Sequence, residues 1–386
     1  MTLILAKKDK NSKIDLFSLI LTNELLKHCN DYKILKTIQM SASSLNHLFT
    51  CPSQTVWKQL CHRNKYTFLL KKEARCLWKR SIFIWESIYY QNWKVDLNWD
   101  NKKYEIMDLS KMIKDGLMKM FNTALGIYIP IEIDGLMKIW DFKRGAVLDS
   151  HKVTGLITSS CLQGNLLVLG KSCGSMTVLK LVSNLQEEKT MKYHSKEVSF
   201  IIIDIKGNCI ISADIGGQII KSSLDDLVPI VLYHSPSGSG ITGLILRKNH
   251  ILATSIDSSL IKISLQNNET QRIGFEDFGS INCITSQKEF IFMGTDSGKL
   301  IVLYEAKVKI FETRDSPIIS IATNSKIVSV GHFDGIITVF RMKIDSLQKL
   351  FTETEINKGA VWSLAMDEIN LISCSLNGEI ILRTFL

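Results

Sequence analysis

Three histidines are the most regularly placed residues of this 386-residue chain that could bind a metal ion or transfer a proton. His151, His194 and His234 are separated by 43 and 40 residues. An interval of this size matches a structural repeat, so each histidine is expected to occupy a comparable place in successive repeats. The spacing therefore favours structural roles for all three histidines over metal ligation or catalysis.

Two short segments resemble reactive loops only in part. Gly170-Lys171-Ser172 ends like a phosphate-binding loop, but Asn165 stands where the first glycine of such a loop is required. The Ser- and Gly-rich segment 235–240 lies between predicted repeats and lacks the strand-to-helix context of a nucleophile elbow. No carboxylate pair and no Ser/His/Asp set stands out from the repeat. The sequence therefore predicts a non-enzymatic protein that uses no cofactor and no metal ion.

The nine cysteines are scattered and never form a C-x-x-C pair, which argues against a disulfide framework and a zinc site. No stretch reaches about 18 consecutive uncharged apolar residues. The basic residues Lys7, Lys8 and Lys10 are not followed by a long apolar run. The sequence predicts buried free thiols, no membrane span and no secretory signal, so we expect a cytoplasmic and/or nuclear protein.

The net charge of +9 is confined to one part of the chain. Residues 1–103 contain 18 Lys and Arg against 8 Asp and Glu, whereas residues 104–386 contain 29 against 30. Such a difference indicates two physical units, of which the basic one favours an acidic surface. A solvated helix face, an acidic protein partner and a nucleic acid are three interpretations of the basic unit. No RNA- or DNA-binding motif accompanies it, so nucleic acid is the least favoured.

From about residue 104 the chain consists of short runs rich in Ile, Val and Leu, interrupted by polar turns. The recurring unit is an apolar strand, a tight turn and another apolar strand, and it occurs seven times. The turn positions are 37 to 43 residues apart and are Gly135, Gly174, Gly216, Ser258, Gly298, Gly335 and Gly378. Glycine supplies the positive φ that a two-residue hairpin requires. A period of about 40 residues with four strands per repeat predicts a mainly β, seven-bladed β-propeller over 104–386.

The sequence also predicts how this ring of blades closes. The seventh repeat reaches the end of the chain after its third strand, so its outer strand has to come from elsewhere. Residues 104–109 precede the first repeat and have the composition of a strand. We predict that they complete the seventh blade, since this pairing removes two exposed strand edges.

Trp140 and Asp141 close the first repeat, and histidines precede several predicted inner strands. In these residues the chain resembles the WD-repeat family. In that family a histidine, a strand Ser or Thr, the turn Asp and the Trp form a hydrogen-bonded network inside a blade. The resemblance implies this structural role for His151, His194, His234, Asp134, Asp257, Asp334 and Trp140. Cys173, Ile215 and Ser297 replace the turn Asp in other blades.

The basic unit shows short amphipathic patterns over residues 14–61. With its Leu-rich beginning and the run Val-Trp-Lys-Gln-Leu-Cys at 56–61, this segment resembles an F-box. The Leu-Pro with which that family usually begins is absent, since Phe17 follows Leu16.

Residues 75–99 contain four tryptophans and resemble the aromatic linker of F-box/WD-repeat proteins. The predicted organisation is therefore a flexible N-terminus (1–13), a small all-α F-box domain (14–61), a helical aromatic-rich linker (62–103) and the seven-bladed propeller (104–386).

This order of segments resembles the F-box/WD-repeat family, whose members are substrate receptors of SCF-type (Skp–cullin–F-box) ubiquitin ligases. The resemblance implies that the F-box binds a Skp-family adaptor, and through it a cullin, while the propeller binds a protein substrate. The adaptor-binding residues that it implies are Leu16, Leu25, Leu26, Ile34, Leu35, Leu48, Trp57 and Leu60. The arginine cluster with which some relatives bind phosphorylated substrates is missing, and Lys138 is the candidate left at those positions. The alternative interpretation is a WD-repeat protein-interaction scaffold without a ubiquitin ligase role.

Overall fold

The computed structural model describes residues 60–61, 84–110, 117–122, 127–132, 134–141, 146–181, 185–226, 228–305, 307–343, 346–354, 359–375 and 377–386. The chain divides into two compact units, of which one holds residues up to Lys103 together with Phe385 and Leu386, and the other holds Tyr104–Thr384. Within the described residues, no helix is long and apolar enough to cross a membrane. Seven of the predicted adaptor-binding residues lie outside the described residues: Leu16, Leu25, Leu26, Ile34, Leu35, Leu48 and Trp57.

Leu60 is the one described member of that predicted set, and the structure gives it a different role. It lies in a helical segment and is only 1% exposed. Its neighbour Cys61 is equally buried, and burial raises the pKa of its thiol to about 12. A side chain removed from solvent in this way belongs to a hydrophobic core, so Leu60 does not present itself to a partner.

The first unit contains the helix α1 (Ile84–Asp100), which lies within the segment predicted to be a helical linker. The buried side chains of α1 recur every three or four residues, as expected for one buried helix face. The ring of Trp99 stacks on Phe385 with the ring centroids 3.5 Å apart. The Asn98 side-chain amide donates to the carbonyls of Phe385 and Leu386 at 3.2 and 3.0 Å. The last two residues of the chain therefore hold the C-terminal end of this helix.

The second unit consists of seven four-stranded antiparallel sheets. The first four sheets each use four consecutive strands. The strands are β2 (Leu117–Asn122), β3 (Ile127–Glu132), β4 (Leu136–Asp141), β5 (Ala146–Lys152), β6 (Ile157–Gln163), β7 (Leu166–Lys171), β8 (Ser175–Leu181), β9 (Leu185–Lys192), β10 (Val198–Asp204), β11 (Cys209–Asp214), β12 (Gln218–Ser223), β13 (Pro229–His234), β14 (Ile241–Arg247), β15 (His250–Ser255), β16 (Ser259–Ser264) and β17 (Thr270–Gly274).

The fifth and sixth sheets follow the same plan, and the seventh takes its fourth strand from the start of the unit. A short 3₁₀ turn, Glu276–Phe278, precedes the fifth sheet. The strands are β1 (Glu105–Asp108), β18 (Ile281–Gln287), β19 (Phe290–Thr295), β20 (Lys299–Tyr304), β21 (Lys307–Glu312), β22 (Ile318–Thr323), β23 (Ile327–His332), β24 (Ile337–Met342), β25 (Leu347–Glu353), β26 (Val361–Met366), β27 (Asn370–Ser375) and β28 (Ile380–Thr384).

Strand β1 pairs with β28 in antiparallel register, from Glu105 opposite Thr384 to Asp108 opposite Ile381. The prediction that residues 104–109 complete the seventh blade is confirmed. The seven blades and the mainly β architecture are confirmed as well, because the strand order of every sheet follows the predicted repeat.

The innermost strands of the seven sheets contact one another from blade to blade, and they are β2, β6, β10, β14, β18, β22 and β26. Polar side chains on them donate hydrogen bonds to a backbone carbonyl of the next inner strand. These bonds satisfy carbonyls at the inner edges of the sheets, which would otherwise lack partners. The pairs are Ser159 to Val198 (2.7 Å), Ser199 to Ile241 (2.7 Å), Thr242 to Ile281 (2.5 Å), Asn282 to Ile318 (3.1 Å) and Ser320 to Val361 (2.6 Å).

The described cysteines are all free, and most of them are buried. Burial raises the pKa of the Cys283 thiol to about 12, which keeps it protonated and inert at neutral pH. Cys173 contradicts the prediction of buried thiols, because it lies in an exposed turn. A hydrogen-bonding contact with the Ser175 hydroxyl at 3.0 Å lowers its pKa.

Candidate functional site

His194 lies at the centre of a buried hydrogen-bond network in the third blade. Its Nδ1 is 3.1 Å from Asp214 Oδ2, and its Nε2 is 2.8 Å from the hydroxyl of Ser212. Burial alone would raise the pKa of Asp214, but the hydrogen bonds from His194 and from the amide of Gln218 outweigh it and hold the pKa below its usual range. With all three side chains buried, this network stabilises the blade and is closed to substrates.

The aspartate of this network lies three residues before the turn glycine, whereas the sequence interpretation placed the turn aspartate one residue before it. The positive φ of that turn belongs to Gly217 and not to Gly216, with φ of 82°. Counting from Gly216 had assigned the aspartate position to Ile215. Two consecutive glycines made both registers equally acceptable in sequence, and the pairing of β11 with β12 decides between them.

His151 and His234 do not belong to such a network, which corrects the prediction for both. The amide of His194 donates to Gly174, and the corresponding bonds in the neighbouring blades come from Val153 and Ser235. His151 and His234 therefore lie two and one residues before the network position. His234 is exposed, and its Nδ1 contacts the carbonyl of Ser235 at 3.1 Å.

The predicted aspartates cap turns and pair with basic residues instead of with histidines. Asp134 is 2.8 Å from Lys152, Asp257 is 2.9 Å from Arg272, and Asp334 is 3.0 Å from Arg314. Each of the three carboxylates also accepts a backbone amide two residues further on. These contacts fix the conformation of the turns.

Two other residues with predicted roles, Trp140 and Lys138, lie in the first blade. The backbone of Trp140 pairs with Tyr128 and Val147 within the sheet, while its side chain lies outside the described part of the chain. The Nζ of Lys138, the predicted substrate-binding candidate, is 3.2 Å from a carboxylate oxygen of Glu132, which is 1% exposed. The Lys138 side chain is only 16% exposed, so it neutralises a buried carboxylate and is not displayed to a substrate.

The turns between the second and third strands lie at one end of the propeller, which we call the upper face. Where the structure describes the first residue of this turn, that residue donates its amide to the carbonyl of the residue directly before the inner strand. This bond is 2.9 to 3.0 Å long in five blades: Ser172 to Leu156, Ile215 to Glu197, Ile256 to Gly240, Asp296 to Ser280, and Phe333 to Pro317. The first turn residues are therefore equivalent in position, and their side chains belong to one face.

Large apolar side chains are exposed on this upper face. The first turn residues Ile215, Ile256 and Phe333 are 47%, 54% and 58% exposed. Leu156, before the inner strand β6, is 56% exposed, and Trp362, the second residue of the inner strand β26, is 44% exposed. We refer to these five residues as the upper-face patch. A group of large apolar side chains exposed to solvent on one face of a folded domain is typical of a protein-binding surface.

The sequence interpretation did not identify the upper-face patch. The available signal was an apolar residue directly after the second strand of a repeat, where a solvent-exposed turn favours polar residues. The sequence places Ile133 and Leu376 at the same position in two further blades, and both lie outside the described residues. Among the residues that the structure describes, no group of three or more His, Cys, Asp or Glu could hold a metal ion.

No protein-family model and no curated protein matches this chain. Solved structures match the propeller. The chain aligns with the β-propeller domain of Cps50 (Swd1) from Myceliophteria thermophila at 13% identity and a TM-score of 0.61, covering 73% of this chain and 99% of that one. It aligns with the WD40 repeats of RRP9 at 13% identity and a TM-score of 0.64, covering 72% and 97%.

A computationally designed protein, Ika8, matches at 17% identity and a TM-score of 0.56, covering 70% of this chain and 97% of that one. Identities this low establish the fold and nothing about partners. The second unit of the chain has the fold of a seven-bladed WD40 β-propeller.

Proposed function

We propose that this chain is a non-catalytic protein-binding receptor whose propeller holds a protein partner on its upper face. The observation that carries the proposal is the upper-face patch, in which five large apolar side chains are 44% to 58% exposed. Burial of apolar surface contributes about 25 cal/mol per Å². A partner that covers the patch would therefore gain much of its binding free energy from these five residues.

The more specific form of the proposal is a substrate receptor of an SCF-type ubiquitin ligase. It is supported by the resemblance of residues 14–61 to an F-box and of residues 75–99 to the aromatic linker of F-box/WD-repeat proteins. In this role the F-box binds a Skp-family adaptor and through it a cullin, while the propeller holds the protein to be ubiquitinated. The receptor accelerates transfer by raising the effective concentration of the substrate and performs no bond chemistry itself.

Binding of the full chain to a purified Skp-family adaptor tests the ligase role. We expect the wild-type chain to bind and the double variant Leu25→Asp, Leu35→Asp to lose binding, because a charge at an apolar contact is costly to bury. The variant Phe333→Ser should bind the adaptor as the wild type does, since it changes only the propeller. Equal binding by the Leu25, Leu35 variant, or no binding by the wild type, would contradict the ligase role.

Proximity labelling in cells, with and without proteasome inhibition, tests the upper face. Proteins that accumulate near the wild-type chain under inhibition should disappear from the double variant Ile256→Ser, Phe333→Ser. Ile230→Ser provides the matched control, because Ile230 is 54% exposed on the outer strand β13 and away from the upper face. Identical partner sets for the double variant and the control would exclude the upper face as the binding site.

The alternative is a protein-interaction scaffold without a ligase role, and the absence of the initial Leu-Pro at residues 16–18 favours it. It predicts that partners depend on Ile256 and Phe333 while the chain binds no Skp-family adaptor.

A further inference from the structure

Exposed carboxylates are concentrated in one sector of the upper face. Glu276 and Asp277 lie in the 3₁₀ turn before the fifth blade, Asp296 is the first turn residue of that blade, and Asp315 lies in the loop before the sixth. All four are exposed, and within the described part of the chain none of them forms an ion pair. We call these four residues the acidic sector.

The cations close to the acidic sector are too few to neutralise it. Arg314 is engaged by Asp334, with Nε and Nη2 at 3.1 and 3.0 Å from the same carboxylate oxygen. The Nζ of Lys299 lies 5.6 Å from the ring centroid of Phe278. Over residues 275–280, 296–299 and 312–316 the sequence contains five carboxylates and two cations. The sector therefore presents an excess of negative charge to a partner.

Apolar residues border the acidic sector on both sides. Asp296 occupies in the fifth blade the position that Ile256 occupies in the fourth and Phe333 in the sixth. These two apolar side chains are 54% and 58% exposed. Over the fourth to sixth blades, the surface therefore places a site for a cation between two sites for apolar side chains.

The arginines beside the turns are not available for a phosphate. Arg272 is 2.9 Å from Asp257 and Arg314 is 3.0 Å from Asp334, so the guanidinium groups already pair with carboxylates. Phosphate recognition depends on convergent cations, usually arginines, that are free to form charge-assisted hydrogen bonds. A phosphorylated segment placed here would meet carboxylates instead and would be repelled.

We propose that the upper face binds a segment of the partner in which apolar side chains lie next to lysine or arginine and which carries no phosphate. This inference rests on the proposed function and names the chemistry of the bound protein. The apolar side chains cover Ile256 and Phe333, and the basic side chains pair with the acidic sector. The charges select the partner and speed its association, while apolar burial supplies most of the affinity.

Selection of peptides from a random twelve-residue phage-displayed library on the full chain tests this inference. We expect the enriched peptides to combine an apolar cluster with at least two Lys or Arg. Synthetic forms of these peptides, measured by fluorescence polarisation, should bind about tenfold more weakly at 500 mM than at 50 mM salt, because partly exposed ion pairs are screened. A phosphoserine beside the basic residues should weaken binding further.

Two charge-matched variants identify the responsible carboxylates. The triple variant Glu276→Gln, Asp277→Asn, Asp296→Asn should bind the selected peptides about tenfold more weakly than the wild type. Glu269→Gln, Glu289→Gln, Glu305→Gln removes the same charge from exposed turns at the opposite end of the blades and should leave binding unchanged. Thermal unfolding of both variants shows that the fold is retained.

Enriched peptides without basic residues, or equal binding by the two triple variants, would overturn the inference. A library that yields no peptide would overturn it as well. If the double variant Ile256→Ser, Phe333→Ser abolishes binding while the acidic-sector variant does not, the receptor function stands and only the assignment of a basic partner fails.

Discussion

His332 illustrates how a single buried polar residue supports the propeller. Its side chain is fully buried, its Nδ1 is 3.3 Å from the carbonyl of Ser316, and its Nε2 is 3.2 Å from the hydroxyl of Thr338. The carbonyl can only accept, so Nδ1 carries the proton and Nε2 accepts from Thr338. Both contacts suit the neutral imidazole, and burial lowers the pKa of His332 below its usual value.

We predict that His332 makes the free energy of unfolding depend on pH. In the unfolded chain the pKa of histidine is about 6.5, so below this pH the unfolded state binds a proton that the folded state resists. Stability is therefore complete above pH 6.5 and falls as the pH decreases below it, by at most about 1.4 kcal/mol per pH unit. Urea unfolding between pH 7.5 and 5.5 measures this slope.

The variant His332→Gln should lose this part of the slope, although it will also be less stable at every pH. His234→Gln, at an exposed histidine, serves as the control and should keep the slope of the wild type. A slope that His332→Gln leaves unchanged would show that another group is responsible.

The hairpins of the repeat depend on turns whose backbone is held against the next loop. Gly298 has a φ of 75°, and a Cβ at this position would lie 1.7 Å from the carbonyl oxygen of Arg314. The loop cannot move away easily, because Thr313 donates its amide to the carbonyl of Gly298 at 3.2 Å. Gly238 has a similar φ of 69°, but no atom lies within 4 Å of the corresponding Cβ.

These two glycines make a matched pair for separating backbone strain from steric overlap. Gly238→Ala should cost about 1 kcal/mol, the strain of a left-handed backbone for a residue with a Cβ. Gly298→Ala should cost more than about 3 kcal/mol, because the turn and the adjoining loop must also separate. Thermal unfolding of the full chain distinguishes the two, and equal losses would contradict the steric argument.

The closure of the ring brings together residues from both ends of the second unit. Arg383 of β28 is completely buried, and its Nη1 donates to the Ser373 hydroxyl at 2.9 Å. Burial lowers the pKa of Arg383, while the negative charge of Glu353 in β25 opposes that shift. Tyr104, just before β1, donates its hydroxyl to the same Glu353 carboxylate, and burial together with that carboxylate raises its pKa. One buried cluster therefore joins the sixth blade, the seventh blade and the closing strand.

Removal of one charge from this cluster should be more damaging than removal of both. Arg383→Met removes a positive charge that stabilises the buried Glu353 carboxylate and should reduce the free energy of unfolding by about 3–5 kcal/mol. The double variant Arg383→Met, Glu353→Gln should recover part of this loss, because no uncompensated charge remains. Thermal unfolding of the wild type, of each single variant (Arg383→Met and Glu353→Gln) and of the double variant forms a double-mutant cycle. Strictly additive losses would show that the two side chains are not coupled.

The number of blades and the identity of the closing strand were predictable from the sequence. Both depend on short-range features, namely apolar runs of strand length, turn glycines such as Gly298 and Gly335, and an interval of 37 to 43 residues between the turns. A hairpin is specified largely by the residues within it, so it can be recognised in the sequence without knowledge of its tertiary contacts. The predicted F-box at 14–61 is supported by resemblance and lies almost entirely outside the described residues.

Only the tertiary structure decided which side chains meet and which are displayed. In the structure, Asp214 and Ser212 form hydrogen bonds with His194, and Lys138 pairs with Glu132. His151 and His234 lie outside the network around His194. The sequence determined that seven hairpins form. The turns of these hairpins lie about 40 positions apart in the chain. They come together at one end of the propeller because the inner strands contact one another and β1 pairs with β28, and this arrangement creates the upper-face patch.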